Sequence, residues 1–299
     1  MLGLGELAAL AEAHAAALAH PIAPVMVGGR SHDLDAEPLV MGVVNLSRDS
    51  TYRESIAVGT ESALRRGRIM AAQGAGLIDV GAESTTARAA RVTEADQVRA
   101  LVPVIEGLAA QGIPTSVEAY SPAVVQCCLR AGAAVVNLTG REQVERVYEL
   151  AAEHGAAVVL CALPGGNARE VGDAVVGADP FPRLVDDLGA RIEVARQHGV
   201  AQLVVDPGLG FFYANLTDPG VRARHQARVL VQTFRLRVLG VPICQALPHA
   251  FDLFEEEYRS AEAFFAVLAL TGRANVLRTH EVAAVAATLR AWHGLAGPG

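Results

Sequence analysis

Residues 39–50 read LVMGVVNLSRDS: six residues without a polar side chain, then Asn45 and an abrupt change to hydroxyl and charged groups. A run that is apolar at every position does not suit a strand with one wet face. It suits a strand buried on both faces, as in a parallel sheet. The same pattern recurs outward along the chain, in runs rich in Val, Ile and Leu. They stand at 77–81 (LIDVG), 115–118 (TSVE), 134–138 (AVVNL), 156–161 (AAVVLC), 202–206 (QLVVD), 241–246 (VPICQA) and 274–278 (ANVLR). With residues 39–45 these make eight candidate strands.

Helical segments separate them. In residues 94–111, Val98, Leu101, Val102, Ile105, Leu108 and Ala109 fall on one face of a 3.6-residue period. Others run near 60–74, 122–131, 142–154, 180–198, 221–238, 258–271 and 281–295. Strands alternating with helices predict a parallel sheet covered by helices. Eight units in unbroken series favour a closed (β/α)8 TIM barrel over an open dinucleotide-binding sheet, whose glycine fingerprint is missing after the first strand. Residues 5–19 (GELAALAEAHAAALA) have strong helix propensity and are ended by Pro21, Pro24 and the glycines at 28–29. The expected organisation is an extra N-terminal helix and lead-in over 1–36, then one barrel domain over 37–299.

A chain of 299 residues with 52% hydrophobic and 19% charged residues can bury a large core. Its net charge of −7 and lack of a basic stripe argue against a nucleic-acid partner. All 25 basic residues are Arg. Cys127, Cys128, Cys161 and Cys244 show no metal-ligand spacing and read as small buried hydrophobes. No basic region precedes the Ala-rich N-terminus, and no apolar run reaches the roughly 20 residues needed to span a bilayer. A soluble, cytoplasmic protein without a membrane partner is expected.

Barrel chemistry sits at the C-terminal strand ends. Here those ends carry Asn45 with SRDSTYRES, GAESTTARAAR, Glu118, Asn137, Asp206 with PGLGFF, QALPHAF, and Arg278-Thr279-His280. Any single carboxylate there could be a helix cap or a turn residue. Asp79, ahead of Gly81 and Glu83, reads as mainly structural. Convergence of so many polar ends on one mouth points to a site.

In order, the segments MGVVNLSRDS, LIDVGAESTTA, TSVEA, AGAAVVNLTG, VVDPGLGF and LRTHEV resemble the motifs of dihydropteroate synthases over about residues 37–292. The resemblance implies a polar slot for a flat pterin, held by Glu118, Asn137, Asp206 and Thr85. It also implies a diphosphate clamp of Asn45, Arg278 and His280, with Asn45 at a Mg2+ ion, and self-association as a homodimer through the C-terminal helices. A carboxylate suits the paired N–H donors of a pterin edge, and a guanidinium suits a diphosphate. The implied reaction is alkyl transfer from a dihydropterin diphosphate to the amine of p-aminobenzoate, with Arg278 and His249 as the residues at the catalytic positions.

Departures from the family pattern concentrate on the amine side. The family's SRKSF is Leu247-Pro248-His249-Ala250-Phe251 here, so its Lys is replaced by His249. ESTRP has become Glu83-Ser84-Thr85-Thr86-Ala87, TPDSF has become Ser47-Arg48-Asp49-Ser50-Thr51, and GFGK has become Gly210-Phe211-Phe212-Tyr213. Three readings follow: a transferase on a pterin-like diphosphate with an altered nucleophile site, a non-catalytic pterin-binding or assembly paralogue, and a methyltetrahydrofolate-type methyltransferase barrel.

Overall fold

The computed structural model describes residues 3–47, 56–57, 59–84, 90–163, 165–167, 173, 179–211, 213 and 215–296. The apolar runs do form the strands of one parallel sheet: β3 (Leu39–Asn45), β4 (Leu77–Gly81), β5 (Thr115–Ala119), β6 (Val135–Leu138), β7 (Ala157–Cys161), β8 (Leu203–Asp206), β9 (Cys244–Ala246) and β10 (Val276–Thr279). Neighbours in sequence pair in parallel from β3 to β8 and again from β9 to β10, and β10 pairs with β3. A parallel bridge between Val205 and Ile243, with the Val205 amide donating to the Pro242 carbonyl at 2.9 Å, joins β8 to β9 and closes the circle. The architecture is the expected TIM barrel.

Helices α3 (Thr60–Gln73), α4 (Glu94–Ala109), α5 (Pro122–Arg130), α6 (Val144–Glu153), α7 (Phe181–Gln197), α8 (Pro219–Val231), α10 (Ala261–Thr271) and α11 (Val282–Ala296) surround it, and a short α9 (Phe251–Phe254) lies at the mouth. Strand alternation divides the apolar residues in two. Outward residues such as Val40, Val44, Ile78, Val80, Val117 and Leu277 pack with the helices in the larger core. Inward residues Leu39, Met41, Leu77, Val135, Ala157, Val159, Val204 and Val276 fill the barrel interior.

The N-terminal helix is interrupted: α1 (Leu4–Ala13) and α2 (Ala15–Leu18) meet at His14, where φ −124° and ψ 31° leave the helical region. The glycines at 28–29 turn an antiparallel hairpin of β1 (Val25–Val27) and β2 (Arg30–His32), with φ of 56° and 77° that side chains rarely adopt. Its Val25 and Val27, with Leu34, belong to the interior cluster and cover the barrel floor. Arg237 holds this lead-in, pairing with Asp35 at 2.5 Å and donating to the His20 carbonyl at 2.7 Å. Asn275 adds a donation to the Leu34 carbonyl at 3.1 Å. Apolar side chains thus cover this end of the barrel.

Met41, 1% exposed in the interior cluster, tests that packing. Met41→Ala is expected to lower unfolding stability by about 2–5 kcal/mol. Urea denaturation should show a lower midpoint at unchanged slope.

Candidate functional site

The inward positions nearest the strand C-termini are polar. Asp79 of β4, Asn137 of β6, Cys161 of β7, Asp206 of β8, Cys244 of β9 and Arg278 of β10 share the parity of the interior apolar residues, and Glu118 of β5 alternates with the outward Val117 and Ala119. Registry sets their levels: Glu118 lies beside Asn137, and Cys161 beside Asp206.

Arg278 spans the interior. Its Nε donates to Asp79 Oδ2 at 2.8 Å and its Nη2 to Glu118 Oε2 at 2.5 Å. Asn137 Nδ2 donates to the same Asp79 oxygen at 3.0 Å, and the Cys161 thiol donates to Asn137 Oδ1 at 3.2 Å. This chain of bonds fixes the Asn137 amide. Asp79 Oδ1 and Ser116 Oγ are buried and take no hydrogen-bond partner among the described residues. A polar ligand or water has reason to complete them, because an unmet buried acceptor costs about 1–3 kcal/mol.

Asp206 is held by its own turn: the Gly208 amide donates to Oδ1 at 2.7 Å. Gly208 has φ 86°, and a Cβ there would lie 2.4 Å from the Ala162 carbonyl oxygen, so the Pro-Gly turn tolerates only glycine. Tyr213 closes the turn by donating to the Gly208 carbonyl at 3.0 Å. Beside it, over β7 and β8, a cavity of about 600 Å3 is lined by Leu163, Gly166, Arg183, Pro207, Leu209 and Tyr213 among others.

Burial dominates the electrostatics. Glu118 is pushed up to about 7 by desolvation, against the attraction of Arg278 and with Asp79 and Asp206 adding repulsion. Asp206 rises to about 6, again chiefly by desolvation, which the Gly208 hydrogen bond and Arg278 only partly offset. Arg278 stays firmly protonated because Asp79 and Glu118 outweigh its own burial. The slot therefore has more acceptor capacity than cationic charge and favours a ligand edge bearing N–H donors.

A second cluster sits at the rim. Glu262 of α10, 1% exposed, takes donations on Oε2 from the Thr279 hydroxyl, from the His280 amide at 2.8 Å and from the Glu281 amide at 3.2 Å. Its Oε1 faces His249 Nδ1 at 2.8 Å and His280 Nδ1 at 3.2 Å. The two imidazoles meet edge to face with centroids 4.7 Å apart. Desolvation holds the His280 ring down to about 4, even with the carboxylate beside it.

The structure brings Glu118, Asn137 and Asp206 to one barrel interior, as the sequence suggested. Asp79, read from sequence as mainly structural, lies in the same slot and holds both Asn137 and Arg278. Arg278 and His280 were expected to face one pocket; Arg278 instead turns to the axis and His280 to Glu262. Glu281, three residues beyond Arg278, pairs with Arg259 at 3.5 Å and not with Arg278. His249 lies at the rim with Glu262 rather than in the axial network. Asn45 ends β3, half-buried, at the level of Gly81. Thr85 and the departures at Arg48, Asp49, Ser50, Thr51, Thr86, Ala87 and Phe212 lie outside the described residues. Glu262 was missed: a glutamate in an apolar helix carries no mark of its partners in the sequence.

A family model described as "Pterin binding enzyme" matches residues 41–280. The dihydropteroate synthase of Mycobacterium leprae is 34% identical over 207 residues, 68% of this chain and 70% of that protein. That of Bacillus subtilis is 28% identical over 258 residues, 83% of this chain and 85% of its own. Among solved structures, Xanthomonas albilineans dihydropteroate synthase with 4-aminobenzoic acid superimposes with a TM-score of 0.76 at 29% identity, covering 94% of this chain and all of the other. The same enzyme in complex with 7,8-dihydropteroate gives 0.73 at 28% identity, covering 92% and 99%.

The raised Glu118 group has a measurable consequence. The folded chain keeps that proton to about pH 7, whereas the unfolded chain releases it near 4.5. Between these values the folded state binds more protons, so stability falls as pH rises. Relative to Glu118→Gln, the wild type should lose roughly 1 kcal/mol per pH unit across this window. Chemical denaturation of both proteins at pH 5, 6 and 7 checks it, and parallel profiles would contradict the assignment.

Proposed function

The chain belongs to the pterin-binding enzyme family, as a relative of the dihydropteroate synthases, and from that premise we propose that its barrel mouth binds a dihydropterin diphosphate, or a closely related ring, and transfers its alkyl carbon to a nucleophile other than p-aminobenzoate. The observation that carries this reading is the slot itself: Asp79, Glu118, Asn137 and Asp206 converge in a buried space with Asp79 Oδ1 still unmet.

Asp206, Asn137 and Glu118 accept from and donate to the ring edge. Binding of N–H donors favours the ionised carboxylates and draws Glu118 and Asp206 away from their protonated forms. In the transfer, the bond from the ring's methylene carbon to the diphosphate oxygen breaks, and the electron pair leaves on diphosphate. A cation develops that is delocalised into the ring, and the buried carboxylates stabilise it. The nucleophile's lone pair forms the new bond and its proton departs to solvent. The cavity over β7 and β8 gives the second substrate its approach.

Magnesium, implied by the resemblance, is a hard ion that takes oxygen ligands and keeps water and phosphate in its shell. The half-buried Asn45 amide oxygen fits that habit, and would hold the ion with the diphosphate's own oxygens. When bound, the ion would supply charge neutralisation on the departing group. Self-association through α10 and α11 remains part of this proposal; Phe264 and Val267 of α10 are 50% and 40% exposed.

A second reading, a pterin-binding barrel without turnover, draws on one observation: the Arg278 guanidinium is already committed to Asp79 and Glu118. Release of diphosphate from the bound substrate separates the two.

Calorimetric titration of a dihydropterin diphosphate with Mg2+ should show Asp206→Asn weaker than wild type by about 1–3 kcal/mol, the range for losing a charge-assisted hydrogen bond. Equal affinities would remove the pterin slot. With p-aminobenzoate as acceptor, turnover should be very low, since His249, Leu247 and Ala250 stand where the family has a cation and two hydroxyls. Efficient dihydropteroate formation in a coupled diphosphate assay would overturn the altered-nucleophile reading.

A further inference from the structure

The rim cluster is unlike the axial slot in its chemistry. Its groups are two imidazoles and one carboxylate, whose ligand atoms lie within 4.8 Å of one another. We propose that His249, Glu262 and His280 form a binding site for a divalent transition metal of the zinc class, distinct from the magnesium expected with the diphosphate. The inference does not rest on the pterin reading, because the site is complete in the chain alone.

Donor type is the first argument. Imidazole nitrogen and carboxylate oxygen together suit zinc and its first-row neighbours, whereas magnesium and calcium take oxygen alone. Three protein ligands with further positions left to water match the usual pattern of an open zinc site.

Geometry is the second. Zinc binds nitrogen and oxygen at roughly 2.0–2.2 Å, so neighbouring ligand atoms in a tetrahedral shell lie about 3.3 Å apart. Here the Nδ1 atoms of His249 and His280 stand 2.8 and 3.2 Å from one carboxylate oxygen, Oε1. Displacements of a few tenths of an ångström would open the triangle for the ion. Each neutral ring needs only its Nε2–H tautomer to offer the Nδ1 lone pair.

Support around the ligands is the third. Metal carboxylates are normally oriented by outer hydrogen bonds. Glu262 Oε2 is held by the Thr279 hydroxyl and by the backbone amides of His280 and Glu281, which leaves Oε1 as the oxygen directed at the histidines. Two ligands come from strand-end loops and the third from α10, so only the closed barrel assembles them. Ala250, next to His249, has a left-handed backbone at φ 44°, a conformation costly for a residue other than glycine. The His249 and His280 side chains keep 22% and 12% exposure, which gives an ion and its water an entry side. His280 also lines a cavity of about 260 Å3 with Arg65, Arg66 and Arg259, so an anion drawn to the arginines would lie beside the metal.

The test uses tag-free full-length protein, stripped with chelator and titrated with ZnCl2 by calorimetry without any pterin. One saturable zinc per chain is expected, with a raised melting temperature at saturation. Replacement by Co2+ should give visible d–d absorption. His249→Ala and Glu262→Gln should each weaken zinc binding by more than about tenfold. His198→Ala, at an exterior imidazole beside Glu149, should leave it unchanged. Glu262 also anchors two backbone amides, so each variant is checked by circular dichroism. If Glu262→Gln does not fold, His249→Ala decides. Absence of saturable zinc binding to the wild type, or equal affinity in wild type and His249→Ala, overturns the proposal. Neither outcome touches the pterin slot, whose titration is separate.

Discussion

The slot exists because one guanidinium is suspended across the barrel interior. Arg278 reaches from β10 to carboxylates on β4 and β5. Removing either carboxylate's countercharge would leave a buried anion, a change typically costing several kcal/mol. Three carboxylates share that one described cation, so burial moves two of them toward their protonated forms. The pair of bonds from Arg278 therefore stabilises the slot and limits it. Any anion that seeks the same guanidinium must compete with Asp79 and Glu118.

Everything below this network is arranged to keep water out. The inward apolar residues and the hairpin side chains Val25 and Val27 seal the floor, and Arg237 with Asp35 ties the lead-in to the barrel. In that environment a hydrogen bond is worth more, and an unmet acceptor costs more, than in solvent. The unmet Asp79 Oδ1 and Ser116 Oγ are therefore informative.

The mouth separates two chemistries by strand parity. Inward side chains such as Arg278 join the axial network, while its neighbour Thr279 points outward to Glu262 and His280 follows it at the rim. One residue of register would exchange these roles. The axial slot, rich in acceptors, suits a heterocycle edge; the rim, with two imidazoles around one carboxylate oxygen, suits a metal.

Much of this architecture was legible in the sequence, because it is local. Apolar runs of strand length, the helical period between them and polar residues at the run ends are properties of short windows, and they located the barrel and Glu118, Asn137 and Asp206. The break at His14 and the floor hairpin were not legible, since Ala-rich propensity and a pair of glycines do not reveal what will cover a barrel end. Asp79 and Glu262 were hidden for a stronger reason. Asp79 acquires its meaning from Arg278, 199 residues away, and Glu262 from His249 after β9 and from Thr279 and His280 at the end of β10. Sequence determines which groups carry charge and which strands face inward together. Only closure of the barrel decides which charges meet, because desolvation and pairing act over a few ångströms of space rather than along the chain.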